Sequence, residues 1–179
     1  MYALCYEEAR AIIADGDVVF IRGSWRSPIQ ALIMLFTASP YSHVCVAFWV
    51  DIGVEKRLMC IEAQTKARRR ILALRCYDDL MMTVIAAPTP WNYVREDALS
   101  KVGKATYGLG EAIYIGVCEL LFRLTKIRLP VKPPSREYCS TFVADLYQLP
   151  IKSGSPQALY EQLLAVSYCK EGDVALLSI

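Results

Sequence analysis

The sequence predicts an α+β domain, an antiparallel sheet packed against helices, with a cysteine at the N-terminus of one helix. Three observations lead there. Elements come in the order helices, a run of strands, helices, then a strand, which favours a sheet covered by helices on one side. His43–Val50 is apolar on both faces, and Arg57–Gln64 returns beside it across a loop containing Gly53, forming a hairpin. Cys139, Phe142, Val143 and Leu146 recur at helical spacing, so one helix face carries a thiol in its first turn.

Composition narrows the class. The 179 residues fit one domain, 1–179, large enough to bury a core. With 55% hydrophobic and 21% charged residues, the chain is not of a disordered type. A formal charge of +2 does not by itself call for a nucleic-acid partner, and none is expected. The cysteines at 5, 45, 60, 76, 118, 139 and 169 form no Cys-x-x-Cys pair, and there is one histidine, His43. Zinc patterns are therefore missing, and the scattered, odd cysteine count suggests reduced thiols. No metal or cofactor is expected. Met1–Arg10 contains Glu7 and Glu8 and no basic-then-apolar leader, so no targeting segment is expected and the location stays unknown: cytoplasmic or, for an enzyme that reaches a cell envelope, carried in a phage particle. Ile29–Phe36 is too short to span a bilayer, and Tyr107–Leu124 contains Glu111 and Glu119. Both read as buried helices.

In chain order, Leu4–Ala14 reads as a short helix with Leu4, Ala9, Ile12 and Ile13 inward, stopped by Asp15-Gly16. Asp17–Arg22 is a strand. Ser27-Pro28 starts a helix through Phe36, serine capping and proline at the first position, and Ser39-Pro40 closes it. After the hairpin, Lys66, Arg68, Arg69 and Arg70 lead into a strand, Ile71–Arg75, and read as a solvated, charge-protected edge. Met81–Ala87 is a further strand. A helix runs from about Asn92 to Lys104 with Val94, Ala98, Leu99 and Val102 inward, and another covers Glu111–Thr125. Pro130, Pro133 and Pro134 keep the next leader extended. The Cys139 helix follows, ended by Leu149-Pro150. Ser155-Pro156 starts a last helix to about Ala165, and Val166–Tyr168 and Asp173–Ile179 read as closing strands.

The chemistry concentrates on three residues. A helix N-terminus favours a thiolate, which suits Cys139 for attack on a carbonyl. Such a sulfur needs a base, and His43 is the one imidazole, ninety-six positions upstream. Folding the hairpin about its loop centre puts Glu62 opposite Cys45 and Gln64 opposite His43. Direct and diagonal neighbours lie ~5 and ~7–8 Å apart, so Glu62 comes within reach of His43. The plainer alternatives are a packed cysteine and a glutamate facing water at a strand end.

In its ordered motifs the chain resembles a circularly permuted member of the NlpC/p60 superfamily of papain-like thiol enzymes, in pattern the YiiX/YebB-like group. The motifs are Gly16-Asp17-Val18-Val19-Phe20, Tyr41-Ser42-His43-Val44-Cys45-Val46-Ala47, Ile61-Glu62-Ala63, Tyr107-Gly108 and Tyr138-Cys139-Ser140-Thr141-Phe142-Val143. They span about Asp15 to Leu164, with the cysteine helix after the strands rather than before them. The resemblance implies Cys139 as nucleophile, His43 as general base and Glu62 as the residue orienting it. It also implies a substrate-lining role for Tyr107, for which an ordinary packed or surface aromatic is the alternative.

That resemblance implies a cysteine hydrolase cutting amides or esters through an acyl-enzyme. Its substrate would be a peptidoglycan peptide or a lipid or acyl-amide, since permuted relatives include the lecithin:retinol acyltransferase-like enzymes. Ile29–Phe36, Tyr138 and Tyr147 would then line an acyl groove, or simply pack in the core. A non-catalytic structural or virion-associated module is the competing class. Nucleic-acid binding through Lys66–Arg70 is a third reading.

Overall fold

Ten of the twelve segments that pattern reading separates up to Ser100 and beyond Tyr138 reappear, with shifted ends, in a computed structural model describing residues 3–64, 68–100, 102–103, 118, 121, 125–126, 138–150 and 155–176. The first part of the chain contains α1 (Tyr6–Ile12), β1 (Val18–Arg22), α2 (Pro28–Thr37), β2 (Tyr41–Asp51) and β3 (Lys56–Gln64). Next come β4 (Arg68–Ala73), a 3₁₀ turn (Leu74–Tyr77), β5 (Met82–Ile85) and α3 (Trp91–Ser100). The later helices are α4 (Cys139–Leu146) and α5 (Pro156–Leu176). One antiparallel sheet has the order β4-β3-β2-β1-β5, so the architecture is α+β with β2 at its centre.

Period-two alternation sends the strands' apolar side chains to both faces. Val18, Phe20, Val44, Val46, Phe48, Ile61 and Ala63 pack with Phe142, Val143 and Leu146 of α4 and Leu159 and Leu163 of α5. Val19, Ile21, Cys45, Ala47, Leu58 and Cys60 pack with Tyr6, Ala9 and Ile13 around α1, and with Leu74 of the 3₁₀ turn. The sheet is thus covered on both faces rather than one. Strands apolar on both sides need cover on both sides, and α1 and the 3₁₀ turn supply the second layer.

Several expected elements differ. In α1, Ile12 is 61% exposed, and Tyr6, Ala9 and Ile13 fill the inner face instead. The helix α2 is not buried. Met34 and Thr37 face the sheet, while Ile29, Leu32 and Leu35 lie open, because only one side of the helix meets β2. Strand β4 starts at Arg68, and Arg75 belongs to the 3₁₀ turn. Val166–Tyr168 and Asp173–Leu176 continue α5 instead of forming strands. No proline or glycine interrupts Gln157–Glu171, and a helix once nucleated extends one residue at a time. Tyr107, the Glu111 end of the expected helix, the proline leader and Lys66 lie outside the described residues.

Helix α4 is fixed at both ends. At its start, Thr141 Oγ1 accepts from the Tyr138 backbone N–H at 3.0 Å, and its hydroxyl donates to the Tyr138 carbonyl. At its end, the buried Tyr147 hydroxyl donates to the Gly16 carbonyl at 2.5 Å. Gly16 has φ of 90°, and a side chain there would crowd Trp91 and Tyr147. A fully buried Phe142 contributes about 3 kcal/mol by area, so side-chain burial seats α4 on β2 and β3 while the Tyr147 contact sets its angle.

Tyr147→Phe is expected to lower the unfolding free energy by ~1–2 kcal/mol, since a buried carbonyl loses its donor. Gly16→Ala is expected to cost more. Urea unfolding of the three proteins measures both differences.

Candidate active site

Glu62 is the centre of the polar cluster. The β2–β3 pairs run from Asp51↔Lys56 to Val46↔Ile61, and the same register carried one step further puts Glu62 opposite Cys45. Glu62 therefore shares a sheet face with His43, one diagonal away, and the contact is made: His43 Nε2 lies 2.7 Å from Glu62 Oε2. Glu62 has no exposed surface, while 17% of the His43 side chain is open.

Two further donors saturate the carboxylate. The Tyr77 hydroxyl donates to Glu62 Oε2 at 2.5 Å, and Arg70 Nε donates to Oε1 at 2.8 Å. Arg70 stands directly across from Glu62 in the β3–β4 pairing. Its neighbour Arg69 points to the other face, where its guanidinium sits 4.5 Å from the Phe142 ring centroid and Nη2 lies 3.8 Å from Asp145 on α4. The strand is the sheet's edge, and Arg70 keeps 47% of its side chain open while paired to Glu62, but Arg69 is no solvated edge residue: it is 1% exposed. An aromatic face holds the buried Arg69 guanidinium, while the half-exposed Arg70 reaches the buried carboxylate from the edge.

Cys139 occupies the first position of α4, where the backbone N–H has no acceptor within the helix. It belongs to the layer of side chains between the sheet and α4, 6% exposed. Beyond Val46 and Ile61, β2 remains paired to β1 through His43, and β3 to β4 through Gln64, but the two central strands part. At this parting Cys139 interacts with His43. A bulge at Ser42 shapes the same end of β2, since Ile21 pairs with His43 and Arg22 with Tyr41. It turns Tyr41 toward Phe20 and Tyr160 on the helical face, leaving His43 on the face of Glu62.

The electrostatics follow from this arrangement. Burial would lower the His43 pKa, but its interactions with Cys139 and then Glu62 raise it to about 10. Burial would raise that of Glu62, but His43, Tyr77 and Arg70 hold it down at about 2. Burial and then the Glu62 charge push Tyr77 well above its ordinary value, which keeps the phenol a donor. Cys45 is also raised, first by a hydrogen bond with Cys60 and then by burial, so it is a poor nucleophile beside the cluster.

Sequence reasoning brought Cys139, His43 and Glu62 together, and the structure places the three in one cluster. It missed Tyr77 and Arg70. Arg70 was within reach of the same test, because folding β3 and β4 about residues 65–67 sets it opposite Glu62. Tyr77 carried no such signal, since it arrives from a 3₁₀ turn whose path no alternation reports. Tyr107 lies outside the described residues. Among the described residues no group of three or more His, Cys, Asp or Glu side chains is arranged to hold a metal ion, and no helix is long and apolar enough to cross a membrane. No protein-family model and no curated protein matches the chain in sequence.

The pH dependence has two limbs. Glu62, depressed in the fold, contributes stability that is present above about 4.5 and is lost as pH falls toward about 2. His43, raised in the fold, contributes stability that is present below about 6.5 and is lost as pH rises toward about 10. Denaturation midpoints across this range are expected to show both limbs, with the acid limb absent in Glu62→Gln. Tyr77→Phe removes one donor from the carboxylate and is expected to move the acid limb up by about one pH unit.

Proposed function

We propose that the chain is a cysteine hydrolase of the permuted NlpC/p60 type, acting on amide or ester bonds through an acyl-enzyme. The observation that carries this reading is the cluster of a helix-start sulfur with an imidazole whose far side is held by a buried, fully bonded carboxylate. Glu62 accepts from three donors and remains charged, so it fixes the ring and stabilises its cationic form.

In the proposed reaction the Cys139 sulfur attacks the carbonyl carbon as a thiolate, and the carbonyl π pair moves to oxygen. The backbone N–H of Cys139, at the first position of the helix, supports that oxyanion. As the intermediate collapses, His43 gives its proton to the leaving nitrogen or oxygen, and a thioester remains on Cys139. Water then attacks the thioester while His43 accepts its proton, releasing the acid and restoring the thiolate–imidazolium pair. The substrate class is a cell-wall peptide or a lipid or acyl-amide, as the resemblance to the superfamily implies, and the sheet-then-helix order is its permuted form.

A thiol-reactive acyl probe is expected to label Cys139 ahead of the exposed Cys5 and Cys76. His43→Ala is expected to slow that labelling by ~10²–10⁴-fold, and Cys139→Ala to abolish it. Mass spectrometry of the labelled peptides decides. Slow, equal labelling of Cys5 and Cys76 with none at Cys139 would leave the chain a structural module.

A further inference from the structure

Helix α2 is apolar on two sides but covered on one. Its inward row is Gln30, Met34 and Thr37, with Gln30 accepting from the Ser24 backbone N–H at 2.7 Å. On the other side Ile29, Leu32 and Leu35 recur every three residues and so form one ridge, exposed by 60%, 49% and 55%. Trp25, 73% exposed, lines a recess with Leu35 and so stands at the Leu35 end of the ridge. Four large apolar side chains open together, on a helix with no charged residue, form a patch that calls for an occupant.

The charges around the patch indicate which occupant. Between Val18 and Val50 there is no aspartate or glutamate, and the formal cations are Arg22 and Arg26, both exposed. Arg22 lines a recess with Trp25, Leu35 and Pro40, beside the ridge. Arg26 lines a second recess with Ser24, Ser27, Gln30 and Tyr77, in which Asp79 is the one carboxylate. A second copy of the chain fits poorly, because a two-fold contact sets the same patch against itself and brings the arginines together. An apolar ridge with tryptophan at its end and cations at its border matches the acyl–headgroup boundary of a negatively charged bilayer.

We propose that the outer face of α2, with Trp25, Arg22 and Arg26, docks the protein on an anionic phospholipid surface. The helix lies in the plane of the interface, with Ile29, Leu32 and Leu35 toward the acyl chains and the arginines at headgroup phosphates. The recess shared by Arg26 and Tyr77 sets this contact beside the Glu62 cluster. Docking does not depend on the hydrolase reading, so Cys139→Ala is expected to bind membranes as the parent chain does.

The test uses the full chain with vesicles of phosphatidylcholine plus phosphatidylglycerol, against vesicles of phosphatidylcholine alone. Sedimentation with the anionic vesicles is expected, together with a blue shift of tryptophan emission as Trp25 leaves water. Trp25→Phe keeps the binding and loses most of the shift. Arg22→Gln and Arg26→Gln each weaken binding by about fivefold and lower its salt sensitivity. Ile29→Ser, Leu32→Ser and Leu35→Ser together abolish binding, with thermal unfolding reporting that the fold is intact. Absence of sedimentation, or sedimentation unchanged in the triple variant, overturns the proposal. So does a concentration-dependent dimer that the triple variant dissolves, which would make the ridge a contact between copies.

Discussion

A carboxylate with no exposed surface must be bonded or protonated, and Glu62 is bonded three times over. That requirement links parts of the chain that share no other purpose. It fixes the register of the β2–β3 hairpin, since a one-residue slip would send Glu62 into the apolar layer under α4. It pairs the carboxylate with Arg70 of the edge strand, and it holds the 3₁₀ turn against the sheet through Tyr77. Removing any one donor leaves the charge to the others; removing the carboxylate leaves a phenol and a guanidinium group facing a cavity. The polar cluster is therefore part of the fold's framework as well as its chemistry.

The edge strand β4 couples the two faces of the sheet through consecutive residues. Arg70 meets the carboxylate on one side, and Arg69 lies over Phe142 and toward Asp145 on the other. Alternation alone accounts for this: neighbours on a strand point to opposite faces. The helix carrying Cys139 and the strand carrying Glu62 are thus held by the same two-residue step. Together with Tyr147 on Gly16, it leaves α4 little freedom to rotate or slide, which a sulfur aimed at an imidazole requires.

Much of this could be read from residue order. Two-faced apolarity marked β2 as central, the loop at Gly53 set the hairpin register, and register alone brought Glu62 to His43. The cysteine's place at a helix start followed from spacing. What escaped was decided by tertiary partners. Arg69 looks like a solvated charge until the Phe142 ring is set beside it, and Arg70, still half-exposed, gives no sign of its carboxylate partner until register places it. The apolarity of α2 suggested burial, but composition cannot say how many sides of a helix find a neighbour. The tail beyond Ala165 is a short apolar run, for which strand and helix patterns coincide and continuation of α5 prevailed.

The order of the elements along the chain has a consequence for biosynthesis. The five strands of the sheet among the described residues, and with them His43, Glu62, Arg70 and Tyr77, precede Trp91, whereas the sulfur comes at 139. A ribosome therefore releases every polar member of the cluster well before the group they surround. The sheet can pair and bury its carboxylate while the thiol is still untranslated, so the nascent chain carries no assembled cysteine–histidine pair until Cys139–Leu146 emerges and α4 settles at the parting of the central strands.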